Sequence, residues 1–305
     1  MERKLIRQGG GGYTIYLPKK WVDAAKLGKG SRLNINVSGN DLVMSPVKDE
    51  AHKKLETDIK IANLTESAIR TLITNAYRVG YDRIKVTFGN EKQFRILQDV
   101  VKTRLIGFDI TKKQAESCFV ENITEPSYDQ FDNLLKKMFM NIEDIFRITA
   151  EKLSIEEREE SLENIKEVEE RIQKYDNFCR RVISKEKLIK KGSEMMWCFL
   201  SEIVHAQREL FHLNEAITTR IKVSDKTKEL FKKNEEIFKI LEKGYFEKNI
   251  SEIGKIHDIE KEAIYKTAYS LIRNKSGKEN LVVLHLAMSL KNFYFANSPL
   301  IGLIM

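Results

Sequence analysis

The sequence predicts a multidomain α+β protein: a small β module at residues 1–48, a small α/β domain at 49–125 and a mostly α region at 126–305, expected as a pair of three-helix bundles. Three observations predict it. Short alternating runs broken by glycines fill the first 48 residues, strand and helix patterns alternate up to Glu125, and after Pro126 helical periods follow one another with almost no strand signal. A chain of 305 residues is longer than one ordinary domain, so two or three domains are expected.

The first element is a basic strand, Arg3-Lys4-Leu5-Ile6-Arg7, followed by Gln8 and the four glycines Gly9 to Gly12. Tyr13 to Leu17 is the returning strand. Pro18 then opens a short helix from Lys19 to Ala25, at the position where a fixed φ and a missing N–H are tolerated. Leu27-Gly28-Lys29-Gly30-Ser31 turns the chain into Leu33 to Val37, and Ser38-Gly39-Asn40-Asp41 reverses it into Leu42-Val43-Met44. The module therefore reads β-β-α-β-β.

Between Asp49 and Glu125 the pattern gives a strand near Asp58 to Ala62, a helix from Thr65 to Val79 and a strand from Arg83 to Phe88. A helix capped by Asn90 runs to Thr103, and two short strands, Phe108 to Thr111 and Ser117 to Glu121, complete the domain. The remaining sequence breaks near Ser154, Lys190 to Ser193, Val223 to Ser224, Gly244 and Asn274 to Gly277, leaving six helices. In the first, Phe131, Leu134, Leu135, Met138, Phe139, Ile142, Ile145, Phe146 and Thr149 trace an i, i+3, i+4 stripe, the apolar face of a packed helix.

Charge separates the function classes. Up to Lys48 the chain holds nine basic and three acidic residues, a net of +6, whereas the whole chain is only +8. The remainder, with 44 basic and 42 acidic residues, is nearly balanced. A concentrated positive field on a small module suits a nucleic-acid backbone, because each neutralised phosphate releases condensed cations. Binding to a membrane surface would use a basic amphipathic helix, and none starts this chain. The longest apolar stretches, Leu281 to Leu290 and Pro299 to Met305, fall far short of the roughly 20 residues of a spanning helix. The start has no basic n-region leading into an apolar h-region, so a cytoplasmic protein without membrane insertion is expected. Cys118, Cys179 and Cys198 form no C-x-x-C pair and read as reduced fillers.

An enzyme is not expected. Gly28-Lys29-Gly30-Ser31 and the four glycines supply neither G-x-x-x-x-G-K-(S/T) nor G-x-G-x-x-G after a buried strand. No G-x-S-x-G elbow and no Cys-His or Ser-His-Asp set can be assembled, and all five histidines stand at or after His52.

The segment Arg3 to Lys48, with Thr14-Ile15-Tyr16-Leu17-Pro18-Lys19-Lys20-Trp21 at its centre, resembles the swapped-hairpin domain of the SpoVT/AbrB type. Asn75 to Ile84 and Leu105 to Ile110 look like the linker region of PhoU-family phosphate-uptake regulators that carry such a domain, and the six-helix remainder is similar to the PhoU bundle pair. The resemblance implies a homodimer in which hairpins of two chains interdigitate and basic residues face double-stranded DNA. Contact with DNA is carried onto Arg3, Lys4, Arg7, Lys19 and Lys20, and further onto Tyr13, Trp21 and Arg32; the rival reading makes them solvated charges. The loop Gly9 to Gly12 is longer than the family pattern, and four glycines are too mobile to preorganise contacts.

PhoU bundles hold metal clusters through repeated carboxylates on facing helices. Here Ser201 and His205, and in the last helix Leu284 and Met288, stand where carboxylates are expected. Glu202, His205, Glu209 and His212 nevertheless form two Glu-x-x-His units on one face of one helix, a pattern that on facing helices can hold iron or zinc as a divalent-metal cofactor, with Glu169 and Asp176 as candidate partners. The competing reading is a solvated polar face beside Phe199, Ile203, Leu210 and Ile217. Two functions remain open: a dimeric DNA-binding transcriptional regulator linked to phosphate uptake, its helices sensing a ligand or partner, or an accessory protein acting on phosphate-transport or signalling proteins, its basic module serving dimerisation.

Overall fold

The structure, a computed structural model, describes residues 3–9, 11–38, 41–46, 54–124, 130–154, 163–186, 192–217, 223–274 and 277–305. Gly10, Gly39, Asn40, Lys48, Pro126, Lys190 and Lys191, singled out in the sequence, lie outside the described residues. The chain divides into two compact units, 1–54 and 55–305.

In the first unit, strands β1 (Ile6–Gln8) and β2 (Gly12–Thr14) form an antiparallel hairpin, with Gly9 and Gly11 at positive φ in its loop. Helix α1 (Lys19–Ala24) starts after the extended Pro18, and strands β3 (Leu33–Ser38) and β4 (Asp41–Pro46) pair antiparallel over six residues. The order is the β-β-α-β-β read from the sequence.

In the second unit, β5 (Glu56–Lys60), β6 (Arg83–Thr87), β7 (Phe108–Thr111) and β8 (Ser117–Asn122) form a sheet in the order β5-β6-β8-β7, with β5 parallel to β6 and the other pairs antiparallel. Helices α2 (Glu66–Val79) and α3 (Glu91–Arg104) start where the sequence puts their caps: Thr65 Oγ1 accepts from the Ala68 amide at 3.3 Å, and Asn90 Oδ1 from the Gln93 amide at 3.0 Å. Each cap satisfies an otherwise orphaned helix donor. Ile69, Ile73 and Tyr77 of α2, Phe94 and Leu97 of α3 and Ile84, Val86 and Val120 of the strands close a core of their own.

The helical region follows as α4 (Phe131–Ser154), α5 (Glu163–Glu186), α6 (Ser193–Ala216), α7 (Asp225–Glu247), a composite rod and α10 (Lys278–Ile304). The rod runs from α8 (Ile253–Glu260) through a π-helical stretch, Lys261–Ala268, into α9 (Tyr269–Asn274). The α4 stripe is buried as read, and Phe139 and Phe146 stack with Phe199, Phe238 and Phe293 at ring separations of 5.3 to 6.2 Å. The helices expected as two three-helix bundles share one continuous core from Phe131 to Leu300. The reason is α10: Val282, Val283, Leu286, Leu290, Phe293 and Leu300 are buried, giving it apolar surface enough to pack against both α6 and α7. The break expected near Gly244 follows the end of α7, between Glu247 and the start of α8 at Ile253. Helix α7 continues to Glu247, and Gly244 is the point where the helix passes close to α10, a Cβ there falling 3.1 Å from Leu300 Cδ2. Among the described residues no helix is long and apolar enough to cross a membrane.

Candidate nucleic-acid interface

The hairpin register decides what faces what in the first unit. Arg7 stands directly opposite Tyr13, and in an antiparallel pair opposed residues share a face, so these two sequence-predicted residues are neighbours on one side of the β1–β2 hairpin. Thr14 Oγ1 donates to Gln8 Oε1 at 2.8 Å and steadies the strand ends beside the glycine loop. Arg3 and Lys4 lie in the extended lead into β1, Lys19 and Lys20 form the first turn of α1, and Arg32 immediately precedes β3. The turn before Arg32 is closed by Ser31, whose hydroxyl accepts from the Gly28 amide at 2.9 Å.

Arg3, Lys4, Arg7, Tyr13, Lys19, Lys20 and Arg32 are all exposed, and Trp21 is half-buried. Among the described residues none of the six basic side chains forms an ion pair, so their charge is uncompensated within the module. The apolar side chains are equally uncovered. Leu5, Tyr13, Tyr16, Ile35 and Leu42 are each more than half exposed, and no side chain described in this unit is buried. Hydrophobic surface of that extent on so small a module marks a contact face.

Residues 6–52 match the family model of MazE, a bacterial antitoxin described by antidote–toxin recognition. The MazE model is of the same AbrB/SpoVT-like, swapped-hairpin kind that the motif around Pro18 resembles. The MazE-like segment thus takes in both hairpins and α1, and every sequence-predicted contact residue except Arg3 and Lys4 falls inside it. Comparison with curated proteins and with solved structures gives no match. The likeness of the helical region to PhoU rests on the sequence reading alone.

Outside the MazE-like segment, the structure does not bring the four candidate metal ligands together. His205 points to solvent and Glu202 is half-buried. Glu209 Oε2 lies 2.9 Å from Nδ1 of His285 on α10, while His212 Nδ1 pairs with Glu215 at 2.9 Å on its own helix. Glu169 and Asp176 face arginines: Glu169 meets Arg104 at 3.5 Å, and Asp176 meets Arg78 and Arg180. Glu209, Glu169 and Asp176 have therefore found cationic or imidazole partners, and among the described residues no group of three His, Cys, Asp or Glu is placed to hold a metal ion. Burial pushes the Cys118 thiol up to about 11 and raises Cys179 as well, so neither sits in a thiolate-stabilising environment.

Sequence reasoning missed a second gathering of positive charge. Arg70, Arg78, Arg104 and Arg208 meet around one cleft, although they are spread over three helices of the α/β domain and the helical region. No spacing in the sequence signals it, since the residues are joined only by the packing of α2, α3 and α6 against α5.

Proposed function

We propose that this protein is a homodimeric DNA-binding regulator in which the MazE-like module contacts duplex DNA and the helical region receives a signal. The observation that carries the reading is the coincidence, on one small module, of uncompensated basic side chains and uncovered apolar ones. The apolar surface calls for a second hairpin pair, which a second copy of the chain supplies, and the doubled module then offers about twice its net +6 to a phosphate backbone. The family match supports DNA contact and dimerisation by the module, and a link to phosphate uptake is part of the proposal, resting on the resemblance, in sequence alone, of the order of parts to PhoU-family regulators.

The test is a salt titration of duplex binding by the full chain beside a variant with Arg3, Lys4, Arg7, Lys19 and Lys20 changed to alanine, with the mass in solution measured for both. Affinity that falls linearly on log–log axes, with a slope of about −0.9 per phosphate contacted, and collapses in a variant that stays dimeric is expected. Binding unaffected by the substitutions would leave the module as a dimerisation device.

A second reading rests on the name of the matching family: the chain would neutralise a protein partner, as an antitoxin does. It predicts that a stable complex with a second protein survives the five substitutions.

A further inference from the structure

Between α2, α3, α5 and α6 lies a cleft of about 430 Å³. Its walls carry Arg70 and Arg78 of α2, Arg104 at the end of α3, Lys166 of α5 and Arg208 of α6, against two acidic residues, Glu169 and Glu170. Charge compensation on its inner side is incomplete. Arg78 and Arg180 both draw on Asp176, at 2.9 and 2.8 Å, Arg104 reaches Glu169 at 3.5 Å, and Arg208 has no ion pair among the described residues. Three guanidiniums thus share two carboxylates, and the fourth, Arg208, has none among the described residues. The Arg78 guanidinium titrates below its usual value, first because it is buried and then because Arg180, Arg208 and Arg104 repel it, against the pull of Asp176.

A second observation points the same way. Gln173 lines the cleft, is 4% exposed, and its Nε2 donor has no partner. A buried donor left unmade is costly, and an anionic oxygen in the cleft would satisfy it. Guanidinium forks match phosphate oxygens bidentately, which suits a phosphoryl group better than a point charge would. The cleft also exceeds what one oxyanion fills: its volume falls among pockets of roughly 300–1,000 Å³ that enclose small organic ligands, and the ring of Phe211 supplies an apolar wall.

We propose that this cleft binds a phosphate ester of nucleotide size, its phosphate held by Arg78, Arg104, Arg208 and the Gln173 amide, and its organic part set against Phe211. None of the residues that line the cleft belongs to the basic module, and the site needs no glycine-rich loop. A ligand there touches α2 of the α/β domain and α5 and α6 of the helical region at once, which makes the cleft a candidate input to the helices.

The experiment is calorimetric titration of the full chain, at fixed ionic strength, with AMP, ATP and inorganic phosphate. One nucleotide per chain is expected, with inorganic phosphate at least about tenfold weaker. Arg208→Gln, which breaks no ion pair, is expected to weaken the nucleotide by about tenfold or more, the scale of a lost charge-assisted hydrogen bond, with an unchanged melting temperature. Gln173→Leu, which removes the orphaned donor, should weaken the nucleotide and hold or raise the melting temperature. A Lys19→Ala, Lys20→Ala chain must bind the nucleotide as the parent does, separating the cleft from the basic module. No nucleotide binding, or binding that Arg208→Gln and Gln173→Leu leave unchanged, would overturn the proposal. Inorganic phosphate binding as tightly as the nucleotide would overturn the ester.

Discussion

Arg181 of α5, fully buried, donates from Nη2 to Asp82 Oδ1 at 2.5 Å, and this contact ties the helical region to the turn that leads into β6. The guanidinium is held at its two terminal nitrogens: Nη1 also donates, to the Tyr77 and Tyr81 carbonyls at 3.1 and 2.8 Å, and the rings of Tyr77 and Phe108 lie about 5 Å away, while Nε has no partner among the described residues. Asp82 in turn accepts from Lys185 at 2.8 Å and from the Leu55 amide at 3.2 Å. Replacing Asp82 with alanine would leave Arg181 buried without its counter-charge, a loss of about 3–5 kcal/mol. Denaturant unfolding of the full chain followed by helix content would read it as a lower midpoint.

The same carboxylate gives an acid limb. Burial pushes Asp82 up, but the hydrogen bonds from Lys185 and the Leu55 amide and the charges of Lys185 and Arg181 outweigh it, holding the group below the usual carboxylate range. Its contribution is complete above the unfolded value of about 3.9 and is lost as pH falls through the lower folded value. The stability gap between the parent and Asp82→Asn should therefore be constant from pH 7 to 5 and narrow below about pH 4.

Glu242 on α7 shows the opposite sign. Burial first, and then the charge of Glu143 on α4, push its carboxyl up to about 6, although Lys239 and Lys136 pull it down. An acid raised in the folded state penalises the native form where it is ionised, and the penalty disappears as pH falls through about 6 towards 4.5. Glu242→Gln should raise the melting temperature at pH 7.5 by about 1–3 °C, a discounted figure for a half-exposed group, and leave it unchanged at pH 4.5.

Gly107 admits no side chain. Its φ is +78°, and a Cβ would fall 2.4 Å from the Thr124 carbonyl oxygen, because its own carbonyl accepts from the Ile123 and Thr124 amides at 2.8 and 3.2 Å. Gly107→Ala is expected to cost at least about 2 kcal/mol, from strain at positive φ together with a displaced backbone. Thermal unfolding reads it directly.

On the hairpin, Arg7 and Tyr13 share a face but should act differently. Arg7→Ala removes a charge and should make the log–log salt slope of duplex binding shallower by about 0.9. Tyr13→Ala should lower affinity at every salt concentration with the slope unchanged. A change of slope with Tyr13→Ala would mean that the two residues are not independent contacts.

Much of the fold was legible because it is local. The caps Thr65 and Asn90, the stripe from Phe131 to Thr149 and the alternation in Leu33 to Val37 all encode their elements within a few residues. Gly244 marked the end of α7 only to within a few residues, because glycine also suits a close helix crossing, here against Leu300. The basic residues of the module were legible as a charge excess in a short span. The cleft was not, since Arg70 and Arg208 become neighbours only through tertiary packing, and the pairing of Glu209 with His285 likewise joins distant helices in place of the i, i+3 units the sequence displays.

The π-helical stretch at Lys261–Ala268 sets the rotational phase between the two halves of its rod. Its hydrogen bonds span five residues where those of α8 and α9 span four, so the turn is wider and its residues advance by a smaller angle. An α-helix advances by about 100° per residue, so a chain one residue shorter here would turn α9 by roughly that angle, carrying Leu271 out of the core and Ile272 towards it. Length in this stretch is thus a dial on orientation, and a single-residue deletion there would act as a change of facing for everything between Tyr269 and α10.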